Sequence, residues 1–271
     1  MKKIIHIFCF LFVPAILFAD GEHPPVGARS AGMAGISLIN NDVWAVFNNQ
    51  AAMSGISQTS VGLYYENRFL LKETGFAAFA LSTPLLGGNI GVSVSHFGYQ
   101  LYNENKFGLA YAIELFKNVS MGIKMDYHYT HQPYEYGNRN ALSFEIGLFA
   151  IPTENLKVGI HAYNPLQLTY IGYSDEYLPV CLAVGAGYTF SKKLTISAEA
   201  EKILQVKPII FRIGLEYKSE KGLALRTGIT TYPIRASFGL GFIHNNLSAN
   251  IAYSWHQVLG STPHISLAYA F

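Results

Sequence analysis

The sequence predicts an all-β fold: a transmembrane antiparallel β-barrel of 14 strands, or 12 if two of them merge, with an N-terminal hatch or plug. Three observations predict it. Segments after residue 57 alternate apolar and polar side chains with a period of two. The connections between those segments alternate in length. The chain opens on a charged start followed by an apolar run, the pattern of an export signal.

The signal is read at residues 1–19. Lys2 and Lys3 supply the charge, and Ile4 to Phe18 is apolar apart from His6 and Pro14. About 15 apolar residues are short for a bilayer-spanning helix, which needs about 20. No later stretch is long enough for a membrane helix. Removing the two signal lysines leaves 17 Lys plus Arg against 17 Asp plus Glu, so the mature chain is formally neutral and offers nothing to nucleic acid. Cys9 falls in the signal, so Cys181 is alone in the mature chain. No disulfide within the chain can form, and stability rests on a closed hydrogen-bond network. By parity Cys181 faces inward, as a small structural residue.

Residues 20–57 have a different texture, rich in Gly, Ala, Ser and Asn, and are read as a hatch segment at the periplasmic mouth or inside the lumen. Asn41 and Asp42 are placed to cap a short helix through Val43, Trp44, Ala45, Val46 and Phe47. A barrel of about 14 strands is too wide for its own side chains to fill. Trp44 and Phe47 would be costly to leave in water. Both arguments put this segment inside the barrel.

Residues 58–271 form the barrel. Strands are predicted at 59–68, 74–83, 88–99, 104–116, 119–130, 139–151, 156–164, 178–190, 193–203, 208–218, 223–231, 235–244, 247–256 and 262–271. In the fifth, Met121, Ile123, Met125, Tyr127 and Tyr129 oppose Ser120, Gly122, Lys124, Asp126, His128 and Thr130. One face is therefore greasy and the other wet. Leu247 to His256 repeats the split. In the last segment Ile265, Leu267, Tyr269 and Phe271 share a face. The second strand is less clear, because Gly75 to Ser82 does not separate by polarity. Connections after even-numbered strands are short, such as Lys117-Asn118, Ser191-Lys192 and Asn245-Asn246. Those after odd-numbered strands include the long ones, 131–139 and 164–177, as expected of short periplasmic turns and longer external loops.

The inward face carries both signs of charge, including Glu66, Lys124, Asp126, Glu145, Glu199, Glu201, Arg212, Glu216 and Arg226. A turn at 219–222 would set Glu216 opposite Arg226 as a lumenal pair. The balanced signs read as packing against the plug rather than as a selective ion pathway, and no single-sign ring appears. Enzymatic signals are poor. Ala28-Arg29-Ser30-Ala31-Gly32 misses the nucleophile-elbow pattern at its first position. The chain reads as a non-enzyme with no catalytic residue, cofactor or metal assigned. A Ser, His and acid set built from distant strands is not visible in chain order. His128 and His131, with Tyr127, Tyr129, Tyr134 and Tyr136, read as an aromatic girdle running into a loop, since no third metal ligand accompanies them.

Gly27-Ala28-Arg29-Ser30-Ala31-Gly32-Met33-Ala34-Gly35 and Asn41-Asp42-Val43-Trp44-Ala45-Val46-Phe47-Asn48-Asn49-Gln50-Ala51-Ala52-Met53 resemble the opening of the PorV/PorQ family, barrels of Bacteroidetes linked to type IX secretion. The fatty-acid transporter FadL has a similar acidic, aromatic and Asn-Pro-Ala arrangement. Gln50 stands where the family usually has Pro. The terminal Tyr269-Ala270-Phe271 resembles the aromatic ending of barrels delivered to the outer membrane. The resemblance implies a Gram-negative outer-membrane location and a 14-stranded barrel entered by the N-terminal segment as a hatch. It also implies Arg29, Asp42, Trp44, Phe47, Asn48 and Asn49 as hatch or ligand contacts. The leading expectation is an interaction component for secretion or surface assembly, bound to membrane lipid and a protein partner. The alternative is a FadL-like passive transporter of hydrophobic small molecules. An open diffusion pore fits poorly with a plug.

Overall fold

The computed structural model describes residues 24–133, 137–171 and 173–271. The signal at 1–19, the first hatch residues, Tyr134 and Tyr136 lie outside them. Two short helices, α1 (Ala28–Gly32) and α2 (Ala45–Asn48), and a 3₁₀ helix (Gln50–Gly55) precede the strands. The first seven strands are β1 (Ser60–Asn67), β2 (Gly75–Leu85), β3 (Gly88–Gly98), β4 (Asn103–Phe116), β5 (Val119–His131), β6 (Arg139–Thr153) and β7 (Leu156–Tyr163). Two short strands, β8 (Thr169–Tyr170) and β9 (Tyr173–Tyr177), form a hairpin in a long loop. The rest are β10 (Cys181–Phe190), β11 (Leu194–Ile203), β12 (Ile210–Lys218), β13 (Leu223–Thr231), β14 (Ile234–His244), β15 (Leu247–His256) and β16 (Gly260–Ala270).

Leaving out β8 and β9, each strand pairs antiparallel with its neighbours along the chain, and β1 pairs with β16 from Ser60↔Ala270 to Glu66↔His264. The result is a closed 14-stranded barrel. Closure pairs the first strand with the last and so removes the two free edges an open sheet would leave. The eighth and tenth predicted strands, read from 178 and 208, correspond to β10 and β12 and start later, at Cys181 and Ile210. Pro179 and Pro208 lie just before them and have no N–H to donate to a ladder.

The alternation appears as two faces. Leu63, Ile213, Leu225 and Ile251 are each more than half exposed on the outer wall, forming an apolar band suited to lipid. On β2 the faces differ in size rather than polarity. Ala78, Ala80 and Ser82 point inward and are buried, while Phe79 points out. That explains why Gly75 to Ser82 showed no polar split: alanine counts as apolar on either face.

The connections after β2, β4, β6, β10, β12 and β14 are all short and lie at one rim; the other rim carries the long loops after β1, β5 and β7 as well as the tight connections at 232–233 and 257–259. The wall is tall along β4 to β6 and lower at β7, which ends at Tyr163 opposite Glu145. Beyond that level β6 pairs instead with β8, at Ala141↔Tyr170.

Residues 24–57 lie inside the barrel. One apolar cluster joins Met33, Ile36, Val46 and Met53 of this segment to Ala110, Ala112 and Phe149 of the wall. A second joins Val26, Val43, Trp44 and Phe47 to Tyr64, Ala78 and Ala80. Burial of a side chain of Val, Leu or Phe size contributes about 1.5–3 kcal/mol. The interior is thus a core shared between wall and hatch.

Candidate functional site

The hatch reaches the wall through glycines. An ideal Cβ on Gly62 would sit 2.7 Å from Val43 Cγ1, and one on Gly228 would sit 2.5 Å from the Met33 carbonyl carbon. Gly91, Gly122, Gly147, Gly159 and Gly214, on five other strands, likewise face hatch atoms at distances a side chain would occupy. The strands thus present flat backbone where the hatch passes. Within the hatch, Gly27 has φ +109°, a left-handed conformation open to glycine, and its bare Cα receives the Trp44 ring.

Asn48 closes the hatch on itself. Its Oδ1 accepts from Val26 N at 2.8 Å, and its Nδ2 donates to Val26 O at 2.9 Å. Asn49 joins hatch to wall: its Nδ2 donates to Leu38 O at 2.9 Å and to Leu148 O at 3.1 Å. Trp44 packs edge-on to Tyr64 at 5.9 Å, and Phe47 lies under the Lys124 ammonium at 5.2 Å. Both rings are buried in the hatch–wall core. The expected cap is different. The helix begins at Ala45, and Asp42 Oδ1 instead accepts from Trp44 N at 3.1 Å in the preceding turn. Asn41 turns away to accept from Lys157 Nζ at 2.8 Å.

Near the short-turn rim Arg29 forks onto Glu216, Nη2 to Oε1 at 2.7 Å and Nε to Oε2 at 2.9 Å. Its Nη1 reaches Asp42 Oδ2 at 3.1 Å. Burial disfavours the Arg29 charge, but Glu216 and Asp42 outweigh that and raise its pKa above the ordinary arginine value. Across the ladder Glu216 stands opposite Arg226, whose Nε donates at 2.6 Å. Arg226 Nη1 also donates to Asn250 at 2.8 Å. Arg29, Asp42, Glu216 and Arg226 therefore meet in one cluster, which fastens hatch to wall.

A second cluster lies deeper. Glu145 Oε1 takes Lys106 at 3.0 Å and Lys124 at 3.2 Å, and both lysines also contact Asp126. Glu145 Oε2 faces His161 at 3.1 Å and accepts from Gln50 Nε2 at 2.5 Å. Gln50 thus fastens the 3₁₀ helix to the wall. A third tie is Glu199, whose Oε1 accepts from Ser37 N and Leu38 N, each at 2.7 Å. Lys106 was absent from the inward charges inferred from sequence, although it shares the parity of Gly108, Ala110 and Ala112. His161 and the glycines were missed too, because neither residue type stands out within an alternating strand.

His128 and His131 separate, bonding Ser143 and Asn138 respectively. Among the described residues no group of three or more His, Cys, Asp or Glu is placed to hold a metal ion. Cys181 is buried on the inward face with Tyr163, Ile203 and Ile210, an apolar cluster at the long-loop end.

No family model and no curated protein matches the chain. Solved structures do. The Ralstonia pickettii toluene transporter TbuX aligns with a TM-score of 0.71 at 12% identity, over 91% of this chain and 98% of that one. The Pseudomonas putida toluene transporter TodX aligns at 0.68 and 12%, over 92% and 99%. A Pseudomonas aeruginosa FadL homologue aligns at 0.63 and 15%, over 92% and 99%. The chain shares the fold of these barrels. The first two are toluene transporters. The PorV/PorQ resemblance, with its secretion partner and its bacterial group, finds no support in these comparisons. The transporter alternative is the better supported of the two expectations.

Proposed function

We propose that this protein is a passive outer-membrane conduit for hydrophobic small molecules in a Gram-negative bacterium, with the N-terminal segment as its hatch. The observation that carries the reading is the hatch–wall contact. Residues 24–57 occupy the lumen of a 14-stranded barrel and hold to it through apolar packing together with side-chain ion pairs and hydrogen bonds that can be remade. The fold shared with toluene transporters supports a hydrophobic substrate class. In this reading Arg29, Asp42, Asn48 and Asn49 hold the closed hatch, while Trp44 and Phe47 offer aromatic surface to a passing ligand. The apolar cluster of Tyr163, Ile203 and Ile210 at the long-loop end is where such a ligand first meets the barrel interior. The short-turn rim then faces the periplasm, and an export signal at 1–19 supplies the route there.

Mass spectrometry of the tagged protein, extracted gently from its native membrane, tests this reading by scoring proteins and small amphiphiles together. A barrel carrying a hydrocarbon or long-chain amphiphile supports the conduit. A stoichiometric secretion or surface protein, with no bound amphiphile, overturns it.

A further inference from the structure

Three inward residues on adjoining strands form a cluster the conduit does not use. Glu66 of β1 stands directly opposite His264 of β16. Ser254 of β15 lies diagonally across from His264, which pairs with Ala252. His264 Nε2 is 2.9 Å from Ser254 Oγ, and its Nδ1 is 3.0 Å from Glu66 Oε2. The surroundings fix the ring tautomer. Tyr64 donates its hydroxyl proton to Glu66 Oε2 at 2.6 Å, and its oxygen lies 2.7 Å from His264 Nδ1. Glu66 is an acceptor and the Tyr64 proton is committed, so the ring proton belongs on Nδ1. Nε2 then carries a lone pair aimed at the Ser254 hydroxyl. This is the polarity of a nucleophile, base and orienting acid. Arg68 Nε binds the other Glu66 oxygen at 2.6 Å, and Tyr64 stacks on the imidazole at 6.2 Å. The acid and base are buried, while Ser254 is half-buried.

We infer that Ser254, His264 and Glu66 form a hydrolytic site for carboxylic esters with an apolar acyl chain, at the long-loop end of the lumen. Ser254 Oγ attacks the ester carbonyl carbon and its proton passes to His264 Nε2. Collapse breaks the bond to the alkoxy oxygen, which leaves as the alcohol with that proton. Water attacks the acyl-serine and gives a proton to Nε2. The acid then departs, and the proton returns to Ser254. Glu66 is a positioning residue that steadies the imidazolium. Thr262 and Ser237 stand directly opposite Ser254 on the two neighbouring strands, so two hydroxyls flank the carbonyl oxygen. The Thr262 oxygen accepts from Phe69 N at 3.1 Å, which leaves its proton free to donate. The acyl preference follows from the lip above the serine. Phe69 meets His256 edge-on at 6.2 Å, and Leu70, Leu71, Val258 and Leu259 are exposed beside it.

The test uses the full-length protein in detergent, with its folded state checked by heat-modifiable electrophoretic mobility. A fluorophosphonate probe, mapped by peptide mass spectrometry, is expected on Ser254. Hydrolysis of p-nitrophenyl decanoate is expected to exceed that of the acetate and to fall roughly 10²-fold or more in Ser254→Ala. Glu66→Gln is expected to lower kcat with KM held. No label on Ser254 in the folded wild type, or equal hydrolysis by wild type and folded Ser254→Ala, overturns the inference.

Discussion

Arg29 of the hatch and Glu216 of the wall, 187 residues apart in sequence, meet in a two-bonded fork of 2.7 and 2.9 Å. Glu216 also binds Arg226 at 2.6 Å, so one buried carboxylate balances a hatch cation and a wall cation. Removing it leaves Arg29 with Asp42 and Arg226 with Asn250, and takes from both the carboxylate they share. Breaking a buried pair from one side costs about 3–5 kcal/mol. Glu216→Ala is therefore expected to free the hatch. A cysteine placed at buried Ser30, in a Cys181→Ser background, should react with a water-soluble maleimide much faster in the Glu216→Ala protein. Unchanged labelling would show that the fork does not hold the hatch.

The inward glycines make a steric prediction. Gly228→Leu drives a side chain into Met33, and overpacking of this kind costs about 1–3 kcal/mol. It should lower thermal stability and expose the hatch to protease. Gly55→Ala serves as the control, since its new Cβ meets only Asn41, at 3.5 Å. Equal proteolysis of the two variants would contradict the close approach.

Gln50 supplies one of the donors to Glu145 Oε2. Gln50→Leu removes it from a fully buried carboxylate, at a cost of about 1–3 kcal/mol. Thermal unfolding should show that loss, and Gln50→Glu should be worse because it sets a second carboxylate against the first. A Gln50→Leu protein as stable as wild type would mean the bond contributes nothing net.

On the outer wall, Ile251 is half exposed within the apolar band. Ile251→Arg places a charge in hydrocarbon, which costs about 2–4 kcal/mol at the bilayer midplane. Reversible folding titrations into lipid vesicles should record that difference. Ile251→Leu should match wild type.

The barrel was legible in the sequence because a period of two needs no knowledge of distant residues. Ser120 to Thr130 announces its two faces alone, and a short turn at 219–222 was enough to set Glu216 against Arg226. The hatch was legible as a segment, since Trp44 and Phe47 demand burial. Its fastenings were not. The Arg29 fork, the Gln50 bond to Glu145 and the ladder that sets Glu66 opposite His264 all join residues far apart in the chain, which no local pattern records. Lys106 differs: it was not named among the inward charges, although its parity alone would have placed it there.

The most direct test of the central claim is toluene uptake by sealed proteoliposomes holding the wild-type protein, with a small sugar as the polar control. The account predicts toluene entry faster than into empty vesicles while the sugar stays out. Toluene entry no faster than into empty vesicles, or free entry of the sugar, would contradict it.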